Sequence, residues 1–206
     1  MSILSMSVDE FTAALASGEA APGGGAAASL AGALAASLGA MCANCALARR
    51  EDAELARLLA EAEALRGDFL NLAECDGETY RIYAALRKAA KADPTLAPSL
   101  EEGLLAASQP PVDTLRFACC AVDLLERMAP RANKALAADL AVAAALARAA
   151  LSAAAVTLRA NTAQMENRQT AELLLGEAEE RLSRYIPRAD ALYDAVYVRC
   201  GEEERR

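Results

Sequence analysis

The chain alternates between long segments with helical periodicity and short segments rich in glycine or proline. The clearest period lies between residues 51 and 90, where apolar residues recur every three to four positions, as at Leu55, Leu58, Leu65 and Phe69. This spacing is typical of an amphipathic helix. Because no proline interrupts the segment, it predicts one long helix, bent near Gly77.

The remaining segments predict further helices. Ser7 and Glu10 have the spacing of a capping box and begin a short helix that ends before Gly18. Four more are expected at residues 26–48, 99–107, 112–129 and 134–162, with Pro110 and Pro111 separating the second from the third. A last helix begins near Glu166 or Thr170 and runs to Tyr197, with a kink or break at Pro187. The pattern therefore predicts an all-α, up-and-down bundle of five to seven helices in a single domain over residues 1–206, with alanine-rich core helices.

The segment 26–48 carries no charge and is long enough to cross a bilayer. It consists mostly of alanine, glycine and serine, which contribute little to membrane insertion. We therefore expect no membrane association and place this helix at the centre of the bundle. Gly32 and Gly39 would let neighbouring helices approach closely, which also suits a subunit interface.

Charge and composition exclude several classes of function. The 206 residues include 21 Lys and Arg against 29 Asp and Glu, a net charge of -8, which argues against general nucleic-acid binding. The chain has no histidine, which excludes His-based triads, His-ligated metals and imidazole proton shuttles. Acid/base chemistry therefore falls to Asp, Glu, Lys, Tyr or Cys.

Six cysteines occur without a recognisable secretory leader, so we expect a cytoplasmic protein with reduced thiols. Cys42 and Cys45 have C-x-x-C spacing, but Cys119 and Cys120 are adjacent and cannot easily offer both thiolates to one tetrahedral ion. We expect no metal site and interpret these cysteines as small buried apolar residues.

Polar residues within apolar segments are candidates for chemistry, each with a structural alternative. Amides of the Gly23–Gly25 segment, just before a helix, can receive an anion or carbonyl group, or the glycines only permit a tight entry. Asp139 lies among small apolar residues, so it faces a cavity or pairs with Arg148 or an arginine of another helix. Asp76 lies near the apolar stripe of its helix, or is a solvated charge. Asn133 suits a helix N-cap, whereas Asn161 can offer its amide to a neighbour or ligand.

Several segments, taken in order, resemble one known family. They are residues 21–44, the basic pair Arg49 and Arg50, Cys75-Asp76 with Tyr80, Asn133, Ala138-Asp139, and Arg159-Ala160-Asn161. Over nearly its whole length the chain resembles the formiminotetrahydrofolate cyclodeaminase and methenyltetrahydrofolate cyclohydrolase family.

This resemblance implies an all-helical homodimer that binds a tetrahydrofolate derivative as substrate and needs no metal or organic cofactor. Members close 5-formiminotetrahydrofolate to 5,10-methenyltetrahydrofolate with release of ammonia, or interconvert the methenyl and 10-formyl forms. A formiminotransferase is an implied partner.

The resemblance also implies roles for individual residues. Asp76 and Asp139 would be catalytic, Asp76 as the acid/base and Asp139 as the group that hydrogen-bonds to the pterin ring or holds the site in register. The substrate would be bound by the amides of Gly23, Gly24 and Gly25, by Arg49 and Arg50 at the glutamate tail, and by Asn133 and Asn161. Alternatively, Arg49 and Arg50 are only a charge pair at the C-terminus of their helix.

The sequence departs from the family pattern at a few positions. Ala26 and Ala138 stand where the family commonly has serine, Thr157 replaces an asparagine, and Gly77 follows Asp76. These departures favour an alternative hypothesis, a non-catalytic folate-binding or helical assembly module.

Overall fold

A computed structural model describes residues 2–49 and 51–201, so Arg50 lies outside the described residues. The helices it contains are α1 (Val8–Leu15), α2 (Gly24–Leu47), α3 (Ala53–Ala90), α4 (Ala97–Met128), α5 (Lys134–Thr162) and α6 (Arg168–Gly201). Three short 3-10 helices lie at Ile3–Ser5, Pro94–Leu96 and Ala129–Arg131. Over these two ranges no strand is present, which confirms the all-α prediction.

Each helix from α2 to α6 runs antiparallel to the next. The Phe69 ring of α3 packs edge-on against Phe117 of α4, with ring centroids 6.1 Å apart. Arg148 of α5 pairs with Asp190 of α6 at 2.5 Å. The predicted up-and-down order is therefore confirmed, and it brings the start of α2, the second half of α3 and the end of α5 to one end of the bundle.

The uncharged helix α2 contacts α3, α4 and α5, which explains its small residues. At Gly32 a Cβ atom would overlap the Phe69 ring, so only glycine permits this approach. Ser29 and Thr114, both buried, share a hydrogen bond of 2.8 Å between α2 and α4. α2 and α5 are long and apolar enough to span a membrane, but 61% and 50% of their most apolar windows are buried in the bundle, which is typical of core helices.

Helix starts follow the predicted capping residues. The Ser7 side chain accepts from the Glu10 N–H, and the Glu10 carboxylate accepts from the Ser7 N–H, which confirms the capping box. Asn133 caps α5 by accepting from the Leu136 N–H at 3.2 Å. The long helix α3 continues through Gly77, where a Cβ atom would lie 2.9 Å from Ile3 Cδ1. Gly77 thus makes room for the N-terminal segment.

The predicted break at Pro110 and Pro111 is wrong, because α4 is a single helix from Ala97 to Met128. A proline removes the N–H that would bond the carbonyl four residues earlier. For Pro111 that carbonyl belongs to Ala107, and the Asn161 side chain of α5 donates to it instead, at 3.0 Å. The predicted break at Pro187 is also wrong, since α6 continues past this exposed residue.

Candidate active site

A cleft of about 330 Å³ opens at the end of the bundle where α2 begins. Its walls come from the loop before α2, the first turn of α2, the second half of α3 and the last two turns of α5. The lining residues are Ala20, Ala21, Gly23, Gly24, Gly25, Asp76, Tyr80, Val156, Thr157, Ala160 and Asn161. The cleft therefore contains all three predicted glycines, one of the two predicted aspartates and one of the two predicted asparagines.

Asp76 is the only carboxylate that is buried among the described residues, with 7% of its surface exposed. No Lys or Arg side chain of the described residues forms an ion pair with Asp76. Burial raises the pKa of the Asp76 carboxyl to about 6, against the opposing effect of the Ala26 backbone N–H, which donates to the carboxylate. The alternative that Asp76 is a solvated helix charge is wrong.

Gly25 makes the close contact between α2 and Asp76 possible. A Cβ atom at this position would overlap the Asp76 carboxylate, whereas a Cβ atom at Gly24 would lie 3.7 Å from Thr157 Oγ1, an ordinary contact. No described glycine has a positive φ. Gly25 therefore serves close approach rather than a left-handed turn, whereas neither reason requires glycine at Gly23 or Gly24.

The start of α2 offers hydrogen-bond donors to the cleft. Gly23 is the N-cap and has no side chain to bond the first N–H groups of the helix. The backbone N–H groups of Gly24 and Gly25 have no acceptor within the helix. Together with the helix dipole, they make this wall attractive to a carbonyl or anionic group.

Asn161 is buried on the opposite wall, with 4% of its surface exposed. Its Nδ2 donates to the Ala107 carbonyl that Pro111 leaves free, which fixes the orientation of the amide. The Oδ1 atom accepts no hydrogen bond from the described residues and remains available as an acceptor. Thr157, one turn earlier, donates its hydroxyl to the Ala153 carbonyl at 3.0 Å.

Three other predicted site residues lie at the opposite end of the bundle. Asp139 is about 33 Å from Asn161 along α5, at about 1.5 Å per residue. Asn133 caps that same distant end of α5. Arg49 is exposed and follows α2, whose 24 residues span about 36 Å. Within one chain, the structure does not bring these residues to the Asp76 cleft.

Asp139 is half-buried. The alternative that it pairs with Arg148 is wrong, because Arg148 pairs with Asp190. Burial, reinforced by the nearby Asp139 carboxylate, raises the pKa of the Cys42 thiol to about 11. Cys42 therefore stays a thiol near neutral pH. Across residues 2–49 and 51–201 no three potential Cys, Asp or Glu ligands cluster in a way that would hold a metal ion.

Tyr80 and Thr157 also line the cleft, although the sequence alone indicates no role for either residue. Tyr80 follows Asp76 by four residues and Thr157 precedes Asn161 by four, so each shares a helix face with a predicted residue. This four-residue spacing is a signal in the sequence by which both residues could have been assigned to the site. Val156 and the loop residues Ala20 and Ala21 carry no comparable signal.

Comparison with known proteins agrees with this arrangement. A family model described as Formiminotransferase-cyclodeaminase matches residues 7–180. The crystal structure of formiminotetrahydrofolate cyclodeaminase from Thermotoga maritima superposes with a TM-score of 0.80 at 27% sequence identity, covering 96% of this chain and 97% of that one. No curated protein matches the chain.

The helical bundle with a cleft at one end places the chain among the all-α bundle proteins. The family match, over most of its length, is more specific: the chain belongs to the formiminotransferase-cyclodeaminase family.

Proposed function

We propose that this protein is an enzyme of tetrahydrofolate one-carbon metabolism, acting as a 5-formiminotetrahydrofolate cyclodeaminase or a 5,10-methenyltetrahydrofolate cyclohydrolase. Family membership and the likeness to a structure titled formiminotetrahydrofolate cyclodeaminase support the substrate class. The observation that carries the proposal is Asp76, a buried, unpaired carboxylate in a cleft that also contains helix N-terminal amides.

Both reactions pass through a tetrahedral carbon that bridges N5 and N10 of the folate. In the cyclodeaminase reaction, N10 attacks the carbon of the protonated formimino group, whose terminal nitrogen carries two hydrogens and a positive charge, while the Asp76 carboxylate accepts the N10 proton. Asp76 then returns a proton to the former imine nitrogen, the bond between that nitrogen and carbon breaks, and ammonia leaves. The product is the methenyl cation, so no oxidant or reductant is needed.

The cyclohydrolase reaction uses the same group. Water attacks the methenyl carbon as Asp76 accepts one of its protons. The carbon–N5 bond then breaks, N5 receives a proton, and the second proton of the water is released as the formyl carbonyl forms on N10.

A pKa of about 6 suits Asp76 to both proton transfers, because the group can exchange a proton near neutral pH. Burial supplies this property without histidine, as in other enzymes that raise a carboxyl pKa by desolvation. Asn161 Oδ1 and the Gly24 and Gly25 amides would bind polar groups of the substrate and hold its N5–N10 edge beside Asp76.

We further propose that two copies associate through a face formed by exposed apolar residues of α2, which carries no charge, and of α5. Leu34, Val142 and Val156 are 56%, 51% and 69% exposed and lie along this face. A two-fold axis perpendicular to the helices would make the contact self-complementary. It would also bring the Asp139 end of one copy beside the Asp76 cleft of the other, which would give Asp139, Asn133 and Arg49 access to a site that one chain does not complete.

Two further parts of the proposal rest on sequence and family alone. We expect the protein in the cytoplasm. A formiminotransferase is the partner that would supply the formimino substrate.

A non-catalytic folate-binding or assembly role is the second candidate. Ala26 supplies only its backbone N–H to Asp76, and the Thr157 hydroxyl is directed to its own helix. The cleft therefore has fewer hydroxyl donors than the resemblance implies.

An absorbance assay of the methenyl chromophore tests these alternatives. With 5-formiminotetrahydrofolate, enzyme-dependent gain of absorbance would indicate a cyclodeaminase. With 5,10-methenyltetrahydrofolate, loss faster than the spontaneous rate would indicate a cyclohydrolase.

Asp76→Asn should lower the rate of whichever of the two reactions the protein catalyses by about 10²–10⁴-fold, as expected for loss of a general acid/base. Glu78→Gln is the matched control, since Glu78 is an exposed carboxylate two residues along α3. Tight folate binding with no turnover by the wild type would favour the non-catalytic role instead.

A further inference from the structure

The Ala107 carbonyl of α4 has no backbone donor, because adjacent prolines occupy both positions that could supply one. A helical carbonyl accepts from the N–H four residues later, or in a 3-10 turn from the N–H three residues later. For Ala107 these positions are Pro111 and Pro110, which have no N–H. Pro110 also frees the Ala106 carbonyl, but Ala106 is exposed, so water can bond it, whereas Ala107 is buried. Only the Ala107 carbonyl therefore needs a donor from the protein.

Asn161 of α5 supplies that donor and is fixed by it. The Asn161 Nδ2 atom lies 3.0 Å from the Ala107 oxygen. A carbonyl oxygen can only accept a hydrogen bond, so the nitrogen of the amide, and not its oxygen, must face α4. Because Asn161 is also buried, packing and this hydrogen bond together leave the amide one orientation.

The Oδ1 atom of Asn161 is consequently directed away from α4 and is open to the cleft. It accepts no hydrogen bond from the described residues. Over the same part of the chain, no side-chain N or O atom that is fully buried lacks a hydrogen-bond partner, so Oδ1 must be accessible. The surface that Asn161 lines is the Asp76 cleft. Oδ1 is therefore an acceptor that a ligand in this cleft can reach.

Thr157 gives the same wall a second acceptor. Its hydroxyl donates to the Ala153 carbonyl at 3.0 Å, so its oxygen can only accept from a ligand. Thr157 and Asn161 are four residues apart and lie on one face of α5. The α2 wall has the opposite character, since the backbone N–H groups of Gly24 and Gly25 donate. The cleft thus offers donors on one wall and acceptors on the other.

We propose that Pro111 is a positioning residue for the Asp76 cleft: it frees the carbonyl that holds Asn161, so that Asn161 Oδ1 accepts from an N–H group of the ligand. Pro111 is not among the residues that line the cleft and acts only through Asn161. This inference rests on the proposed function, under which the ligand is a tetrahydrofolate, whose reduced pterin carries several N–H groups. An Asn161 amide free to turn over would present its own N–H groups to them, and two donors repel.

The orientation of Asn161 can be measured without a ligand. Two-dimensional ¹H–¹⁵N NMR spectra contain its side-chain amide, which is assigned by its loss in Asn161→Leu. In the wild type the Nδ2 protons should exchange slowly with solvent deuterium. Pro111→Ala gives the Ala107 carbonyl a backbone donor, which should weaken its bond to Asn161 and speed this exchange by about fivefold.

Pro110→Ala is the matched control. Pro110 is buried like Pro111, so both substitutions remove similar packing. The N–H that Pro110→Ala introduces has the Ala106 carbonyl as its α-helical acceptor, which leaves the bond between Asn161 and Ala107 in place. The Asn161 amide should therefore exchange at the wild-type rate in this control.

Ligand affinity tests the consequence for recognition. Isothermal titration calorimetry would use 5-formyltetrahydrofolate, a stable folate in which oxygen replaces the formimino nitrogen. Pro111→Ala should weaken binding by about three- to tenfold, as expected for one neutral hydrogen bond, and Pro110→Ala should bind like the wild type. In an Asn161→Leu background, Pro111→Ala should have no further effect on affinity, because the group that Pro111 positions is gone.

The two proline variants keep the test decisive where Asn161→Leu alone does not fold. The double variant Pro111→Ala/Asn161→Leu has a backbone donor for the Ala107 carbonyl, so it can supply the NMR assignment instead. Equal affinity of Pro111→Ala and Pro110→Ala for 5-formyltetrahydrofolate would overturn the inference and leave the proposed function standing. If the wild type binds no folate, yet the Asn161 amide loses its protection only in Pro111→Ala, the proposed function fails and the positioning of Asn161 stands.

Discussion

Asp76→Asn should make the folded protein more stable above about pH 6 while removing turnover. Asparagine is nearly isosteric with aspartate and keeps an oxygen that can accept from the Ala26 N–H. It cannot ionise, so it avoids the cost of burying a charge without a counter-ion.

The magnitude follows from the pKa of Asp76. Burial raises this pKa from its ordinary 3.8 to about 6, so the folded state binds a proton more readily than the unfolded state between these values. The wild type therefore loses stability as pH rises through this window, by a total of about 3 kcal/mol. Asp76→Asn does not lose this stability, because the asparagine amide is neutral in both the folded and the unfolded state.

The assay is denaturant unfolding of both proteins across this pH range. All other ionisable groups are shared, so they cancel in the difference between the two free energies of unfolding. That difference should be small near pH 4 and approach about 3 kcal/mol in favour of the variant above about pH 7. Glu78→Gln should show no such rise because Glu78 is exposed. A difference that stays constant with pH would refute the reasoning.

Four further predictions concern the site and the proposed dimer. The rate of either reaction should rise with pH through about 6 where Asp76 acts as the base, and a pH profile without this limb would contradict that role. Gly25→Ala should destabilise the fold by about 1–3 kcal/mol through overlap with Asp76, whereas Gly24→Ala should be neutral or stabilising; thermal unfolding compares the two. Asn161→Leu leaves the Ala107 carbonyl unbonded, and Pro111→Ala restores a donor to it, so a double-mutant cycle should show coupling of about 1 kcal/mol, with strict additivity arguing against the contact. Leu34→Glu/Val142→Glu should yield monomers by light scattering, and a wild type that is already monomeric would rule out the dimer.

The sequence by itself determined the helical class, most helix boundaries and two of the helix caps. Apolar periodicity specified α3 and α5, and local capping groups such as Ser7 and Asn133 act within one turn of the chain, so both can be read without tertiary contacts. Pro110 and Pro111 show the limit of local reasoning. The effect of Pro111 on α4 depends on Asn161, a donor 50 residues later in the chain.

Only the tertiary structure decided which candidate residues share a site. Asp76 and Asp139 look alike in sequence, since each is a carboxylate near small or apolar neighbours. The antiparallel packing of α2, α3 and α5 brings Asp76 to Gly25 and Asn161 and leaves Asp139 about 33 Å along α5 from Asn161. It also shows that Arg87, Lys88 and Lys91 line a second cleft, which shares Ala20 and Tyr80 with the Asp76 cleft. The physical reason is that helical periodicity fixes the face of a helix on which a residue lies, whereas packing decides which end of another helix that face meets.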